Sequence, residues 1–195
     1  MNSDSSDLLP TISAFGILEE KKGVRLYANY YPRGKIKWSS TPNQLKFEQS
    51  ILDGWKKLTT PPTIPCTQMM ETENNIVICK PFMTSYIVFI VSQKEENPFL
   101  LQELLDVFEK VIHELIKNKR TLFSKSEWNI KTLPFLALLV DEMIESGLIL
   151  DMEKGSLLMK VYNVLSSESK KIGPVLTSKE KNESDDSDSE EEKEK

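Results

Sequence analysis

The sequence predicts an α+β domain built on one five-stranded antiparallel sheet with helices on both faces. Three observations lead there. Hydrophobic periodicity gives the order strand–strand–helix–strand–strand–strand–helix–helix, closed by a short C-terminal helix. Connections within the opening hairpin and the later meander are short, which favours antiparallel pairing. Two strand candidates, "NIVICKPF" and "SYIVFIVS", are apolar in continuous runs. Strands covered on both faces read that way; strands with one wet face alternate.

The hairpin is "TISAFGILEE" followed by "GVRLYANYYP", joined by a turn at Lys21, Lys22 and Gly23. The first helix has a start signal: Thr41 as N-cap, Pro42 at the first helical position and Gln44 placed for a capping box. Phe47, Ile51, Trp55 and Leu58 then recur at helical spacing and predict one buried stripe, and "TTPPTIP" breaks the chain after it. The meander is expected at Ile64–Glu71, then the two apolar runs.

The next helix is the strongest in the chain. Asn97 caps it, Pro98 opens it, and Leu101, Leu104, Leu105, Phe108, Ile112 and Leu115 point inward. A polar linker around 124–131 leads to a helix over Leu133–Ser146, capped by Thr132. Gly147 is expected at its left-handed C′ position, letting Leu148 pack back on Met143 in a Schellman arrangement. An amphipathic helix over Ser156–Leu165 finishes the domain.

This division gives a flexible N-terminus at 1–10, a folded domain at 11–165 and a disordered acidic tail at 166–195. The tail ends "NESDDSDSEEEKEK", too polar to bury enough surface against chain entropy. Of the net charge of −5, all lies between Thr177 and Lys195, so the remainder is neutral. Ser187 and Ser189 each precede a glutamate by three residues, a pattern acidophilic kinases favour, and are candidate phosphorylation sites.

Several function classes fall away. The N-terminus is polar and acidic, unlike a secretory leader, and the apolar runs are far short of a membrane span. A soluble protein with Cys66 and Cys79 as reduced thiols is expected. No cysteine or histidine spacing suggests a metal, and no glycine-rich loop a phosphate, so no cofactor is expected. His113, the only histidine, falls on the polar face of its helix with no base or nucleophile beside it in the pattern. Arg25, Arg33, Lys35 and Lys37 lie near Tyr27, Tyr30, Tyr31, Trp38 and Trp55, but a neutral folded part argues against nucleic acid. These aromatics suit core packing or a protein–protein contact.

One stretch raises a question. In "LLVDEMIESGLIL", Asp141, Glu142 and Glu145 fall in the expected last helical turn, at the negative end of the helix dipole. Asp141 and Glu145 would also form an i,i+4 like-charge pair there, each effect costing about 0.2–1 kcal/mol. Either solvent tolerates these charges, or at least one acid meets a basic group or free N–H, on this chain or a partner.

Three segments, in order and suitably spaced, resemble the coatomer zeta subunit family. "AFGILEEKKGVRLYANYYP" is similar to its opening hairpin, where an arginine–leucine pair (Arg25, Leu26) leads to a tyrosine pair (Tyr30, Tyr31). "FEQSI" is similar to the start of its first helix, and "LLVDEMIESGLIL" to its Val-Asp-Glu helix end followed by glycine and an apolar strand. The resemblance covers about Ser13–Glu153 and implies the longin-like fold shared with adaptor sigma chains. This chain departs from the family at Asn29, where a lysine is usual, and at Ser146, where a second glycine is common. Its linker around 118–131 is long, and its acidic tail is extra.

The resemblance implies a non-catalytic subunit of the coatomer coat, clasped by the large gamma subunit, in Golgi-to-ER retrograde and intra-Golgi transport. It implies a cytoplasmic protein peripheral on Golgi membranes, attached through a small GTPase that engages larger subunits, with no direct insertion. A sigma-type adaptor chain, or a regulatory longin domain binding a SNARE or small GTPase, stand as alternatives. Tyr30, Tyr31, Trp55, Asp141 and Glu145 are the candidate partner-interface residues.

Overall fold

In a computed structural model the described residues are 12–58, 66–118 and 133–171, with side chains to 164. The chain divides into two compact units, Met1–Tyr162 and Asn163–Lys195. The expected N-terminal segment 1–10, Thr132, most of the tail and both candidate phosphorylation serines lie outside the described residues.

Five strands form the sheet: β1 (Ile12–Glu19), β2 (Arg25–Tyr30), β3 (Gln68–Glu71), β4 (Asn75–Phe82) and β5 (Tyr86–Gln93). Their order is β2-β1-β5-β4-β3, and every neighbouring pair is antiparallel. The hairpin and meander form as expected, and β1 bonds to β5 to join them. Gly23 takes φ +66° in the first turn, a left-handed conformation that costs glycine little.

Pleat alternation divides the apolar residues between two layers. On one face Ala14, Leu18, Val77, Cys79, Ile87, Phe89 and Val91 meet Ile51, Leu52 and Trp55 of helix α2 (Thr41–Leu58). On the other, Phe15 and Phe82 flank Phe108 of α3 (Pro98–Asn118), with ring centroids 5.1 and 5.5 Å away. This two-sided burial is why β4 and β5 read as continuous apolar runs. Asn97 caps α3 as expected, its Oδ1 accepting the Phe99 N–H at 3.0 Å, and the six predicted inward residues are all buried.

Some boundaries differ from expectation. Thr41 is already helical, and Gln44 Nε2 donates to the Trp38 carbonyl at 3.2 Å instead of forming a capping box. Leu58, expected in the buried stripe, is 49% exposed, while Glu48 is buried. Glu48 accepts Arg25 Nε at 3.0 Å and the Tyr30 hydroxyl at 2.8 Å, so a charge-assisted network satisfies the buried carboxylate. The described part of the third strand is only Gln68–Glu71. A short helix not expected from sequence, α1 (Pro32–Lys37), follows β2. It fits because Gly34 lets its backbone close on β1: a Cβ there would lie 2.0 Å from the Ser13 carbonyl oxygen.

The expected helix over Leu133–Ser146 is shorter. Helix α4 covers Leu133–Met143 and gives way to a hairpin of β6 (Ile144–Glu145) and β7 (Leu148–Ile149). Gly147 is left-handed, at φ +90°, but as the second residue of a two-residue turn beside Ser146 at φ +53°, not as a Schellman cap. The last helix, α5 (Lys154–Lys171), starts earlier and runs longer than expected, and Leu157 and Val161 are buried.

Candidate partner interface

The candidate site lies where the β2–α1 corner meets the end of α4 and the β6–β7 hairpin. Backbone contacts fix this corner. Tyr31 N donates to Ser13 O at 3.0 Å, Lys35 N to Tyr31 O at 2.8 Å, and Ile12 N to Gly147 O at 2.6 Å. A Cβ on Gly147 would sit 2.5 Å from the Ile12 carbonyl oxygen and 3.4 Å from Tyr31 Cβ, so the hairpin rests directly on the start of β1 and on Tyr31.

These elements enclose an open cleft of about 590 Å³ whose lining includes Asn29, Tyr31, Lys35, Asp141, Glu142 and Glu145. Three of the five residues predicted for a partner contact therefore share one cleft. The other two lie elsewhere: Tyr30 is 4% and Trp55 2% exposed, within the α2-side core. Each is held there by a hydrogen bond, Tyr30 to Glu48 and Trp55 Nε1 to Glu20 Oε1 at 3.0 Å. Their side chains serve this chain's own core and correct the expectation that they face a partner.

The acids divide in two groups. Glu142 pairs with Lys160 of α5 at 3.0 Å, and Lys160 also meets Asp151 at 3.1 Å. Asp141 and Glu145 have no ion pair among the described residues and are exposed. Glu145 is not a helical neighbour of Asp141, because the helix has ended between them. The Asp141 carboxyl is held above its usual range, first by partial burial and then by the Glu142 charge.

Tyr31 is 4% exposed, and its buried hydroxyl has no hydrogen-bond partner among the described residues. Burial first, then Tyr27 and Asp141, push its pKa up, while the nearby Asn29 side chain acts in the opposite sense. Tyr27 is pushed up to about 12 by burial and Asp141. The cleft thus combines two exposed carboxylates outside any ion pair, Asp141 and Glu145, with Lys35, and the buried Tyr31 hydroxyl lies behind its wall.

The sequence did not indicate Lys35 as part of this site, because α1 was not foreseen. Asn29 carried a usable signal: it shares pleat parity with Tyr31.

A second cleft, about 420 Å³, brings His113 near Glu19, Thr84 and Ser85. Among the described residues no side-chain hydrogen bond joins His113 to these groups. Among the described residues no group of three or more metal-ligating side chains could hold an ion. None of the described helices is long and apolar enough to cross a membrane.

A five-stranded antiparallel sheet with helices on both faces is the architecture of a longin-like α+β domain. The chain belongs to the clathrin adaptor complex small chain family, whose model matches residues 12–168. It is 25% identical over 146 residues to the probable coatomer subunit zeta-A of Dictyostelium discoideum, covering 75% of this chain and 77% of that one. It is also 25% identical over 159 residues to coatomer subunit zeta-3 of Arabidopsis thaliana, covering 82% and 80%. Coatomer subunit zeta-1 of Oryza sativa subsp. japonica is 24% identical over 148 residues, covering 74% and 76%. In fold, the chain superposes on a chain from a homology model of the full-length AP-3 complex in a stretched open conformation. The TM-score is 0.54 at 16% identity, covering 83% of this chain and 99% of that one. The protein is a coat subunit, a member of a multi-subunit assembly.

Proposed function

We propose that this chain is the zeta-type small subunit of coatomer, pairing with the large gamma subunit in Golgi-to-ER retrograde and intra-Golgi transport. The observation that carries the reading is the match to coatomer zeta subunits over most of both lengths. In this reading the subunit is non-catalytic. It works in the cytoplasm and peripherally on Golgi membranes and coated vesicles, reaching them through a small GTPase bound by larger subunits. The cleft lined by Tyr31, Asp141 and Glu145 contributes to the large-chain interface. Ser187 and Ser189 are its proposed phosphorylation sites.

The AP-3 fold neighbour favours one second reading, a sigma-type adaptor chain. Affinity purification of the tagged full chain from cytosol, with mass spectrometry of its companions, separates the two. Stoichiometric gamma coatomer is expected. Large adaptor chains would move the protein to the sigma class, and a lone monomer would overturn both.

A further inference from the structure

A third pocket, of about 220 Å³, opens where α1 crosses the start of β1 and meets the turn before β4. Its lining is Ser13, Arg33, Lys37, Asn74, Asn75 and Gln93, with no carboxylate and no apolar side chain. Charge of one sign is thus gathered on a folded part that is neutral overall. Lys37 is held there by neutral groups alone. Its ammonium donates to Asn75 Oδ1 and stands 5.3 Å from the centroid of the Trp38 ring. Asn75 is 6% exposed, and its Nδ2 donates to the Ser92 carbonyl at 3.2 Å, which fixes the amide that holds the lysine. Arg33, partly buried, makes no ion pair or side-chain hydrogen bond among the described residues. Ordering a long side chain costs rotamer entropy, and here no counter-charge offsets it. The β1–β5 register shifts between Ile12 and Ala14, so Ser13 sits at a bulge, a distortion that re-aims side chains beside binding sites.

We infer that this pocket binds a phosphomonoester group, carried on a small polar molecule or on a lipid headgroup. Arg33 presents a planar fork of donors, and Lys37 keeps N–H groups beyond the one given to Asn75. Asn74 and Gln93 add amide donors at the rim. A phosphomonoester brings about −1.5 to −2 charge and three acceptor oxygens, a match for two cations. A carboxylate brings less charge and two oxygens. The volume falls below the roughly 300–1,000 Å³ of sites for drug-sized ligands, so the pocket takes one polar head. An extended peptide would need places for its flanking side chains, and this lining offers none. The inference stands apart from the coat reading.

The test uses the full chain, with the Arg33 Nε–H and the Asn74 and Gln93 side-chain amides followed by NMR. Glycerol 3-phosphate is added, against acetate at matched ionic strength. Saturating shifts with the phosphate ester and not with acetate are expected. R33Q/K37Q removes both cations, and N74D adds a carboxylate at an exposed rim position. Each should weaken binding roughly tenfold or more, the order of a lost charge-assisted hydrogen bond, read at the Gln93 amide. K46Q/K57Q removes equal charge from exposed positions of α2 and should bind as wild type does. Thermal melts confirm that each variant folds. Shifts that never saturate, that acetate reproduces or that R33Q/K37Q leaves unweakened overturn the site. Vesicles separate the two sources. Greater sedimentation with phosphatidylcholine vesicles carrying phosphatidic acid than with phosphatidylserine at equal surface charge assigns the site to a headgroup. Binding of the free ester without that preference assigns it to a soluble molecule. A phosphoserine peptide that binds far more tightly than the ester would overturn the small-ligand reading.

Discussion

Tyr30 and Tyr31 are adjacent and chemically identical, yet one closes a core network and the other lines the cleft. Their separation follows from the pleat, which sends consecutive side chains to opposite faces. The sequence showed a tyrosine pair; only strand pairing decides which member faces α2. The difference has a measurable outcome. Because the Tyr31 hydroxyl is buried without a partner, Y31F should raise stability by about 1 kcal/mol, the order of an unsatisfied polar group. The check is a later denaturant midpoint at unchanged slope. Asp151 gives an opposite case. It accepts the Glu153 N–H at 2.8 Å and the Ser156 hydroxyl at 2.7 Å at the start of α5, and these bonds lower its pKa from 3.8 to about 2. A depressed carboxylate adds stability above its unfolded pKa and loses it as pH falls through the folded one. D151A should therefore cost about 0.5–2 kcal/mol at neutral pH, as a lost helix cap does. The gap between variant and wild type should close between about pH 4 and pH 2, followed by denaturation at stepped pH.

Among elements, the long ones were legible and the short ones were not. Helix α3 carries six inward residues at helical spacing and a cap, so local pattern and tertiary role agree. Helix α1 has six residues, "PRGKIK", with Ile36 83% exposed and no apolar stripe; it is held by β1 through Gly34, which no local pattern reports. At the end of α4, glycine signalled a left-handed residue correctly. A helix cap and a hairpin turn both want glycine there, and the pairing of β6 with β7 decides for the turn. Alanine at this position meets both a positive φ and the Ile12 carbonyl, so G147A should cost about 1–3 kcal/mol. Faster hydrogen exchange of the Ile12 amide, which donates to the Gly147 carbonyl, would locate the damage.

For the molecule as a whole, strand order within the hairpin and within the meander followed from connection length, and both-face coverage from continuous apolar runs. The pairing of β1 with β5, and the cleft it helps position, depend on residues far apart in sequence and have no local signature. The placement of three acids, by contrast, was visible as an electrostatic oddity; the structure separates Glu142, paired in cis, from Asp141 and Glu145, outside any ion pair among the described residues. A subunit built around such a site should gain stability from its partner. In complex with a captured large chain held at about 100 times its Kd, it should gain roughly 2.7 kcal/mol, read as a raised melting temperature against the isolated chain.

The bond from Ile12 to Gly147 ties the first described strand to a turn near the far end of the first unit. On the ribosome, β1 and Tyr31 emerge early, but Asp141, Glu145 and the turn that seats against them arrive only when nearly the whole domain has been made. A nascent or truncated chain stopped short of Gly147 lacks that wall of the cleft. The corner is therefore a late product of synthesis, complete only in a finished domain.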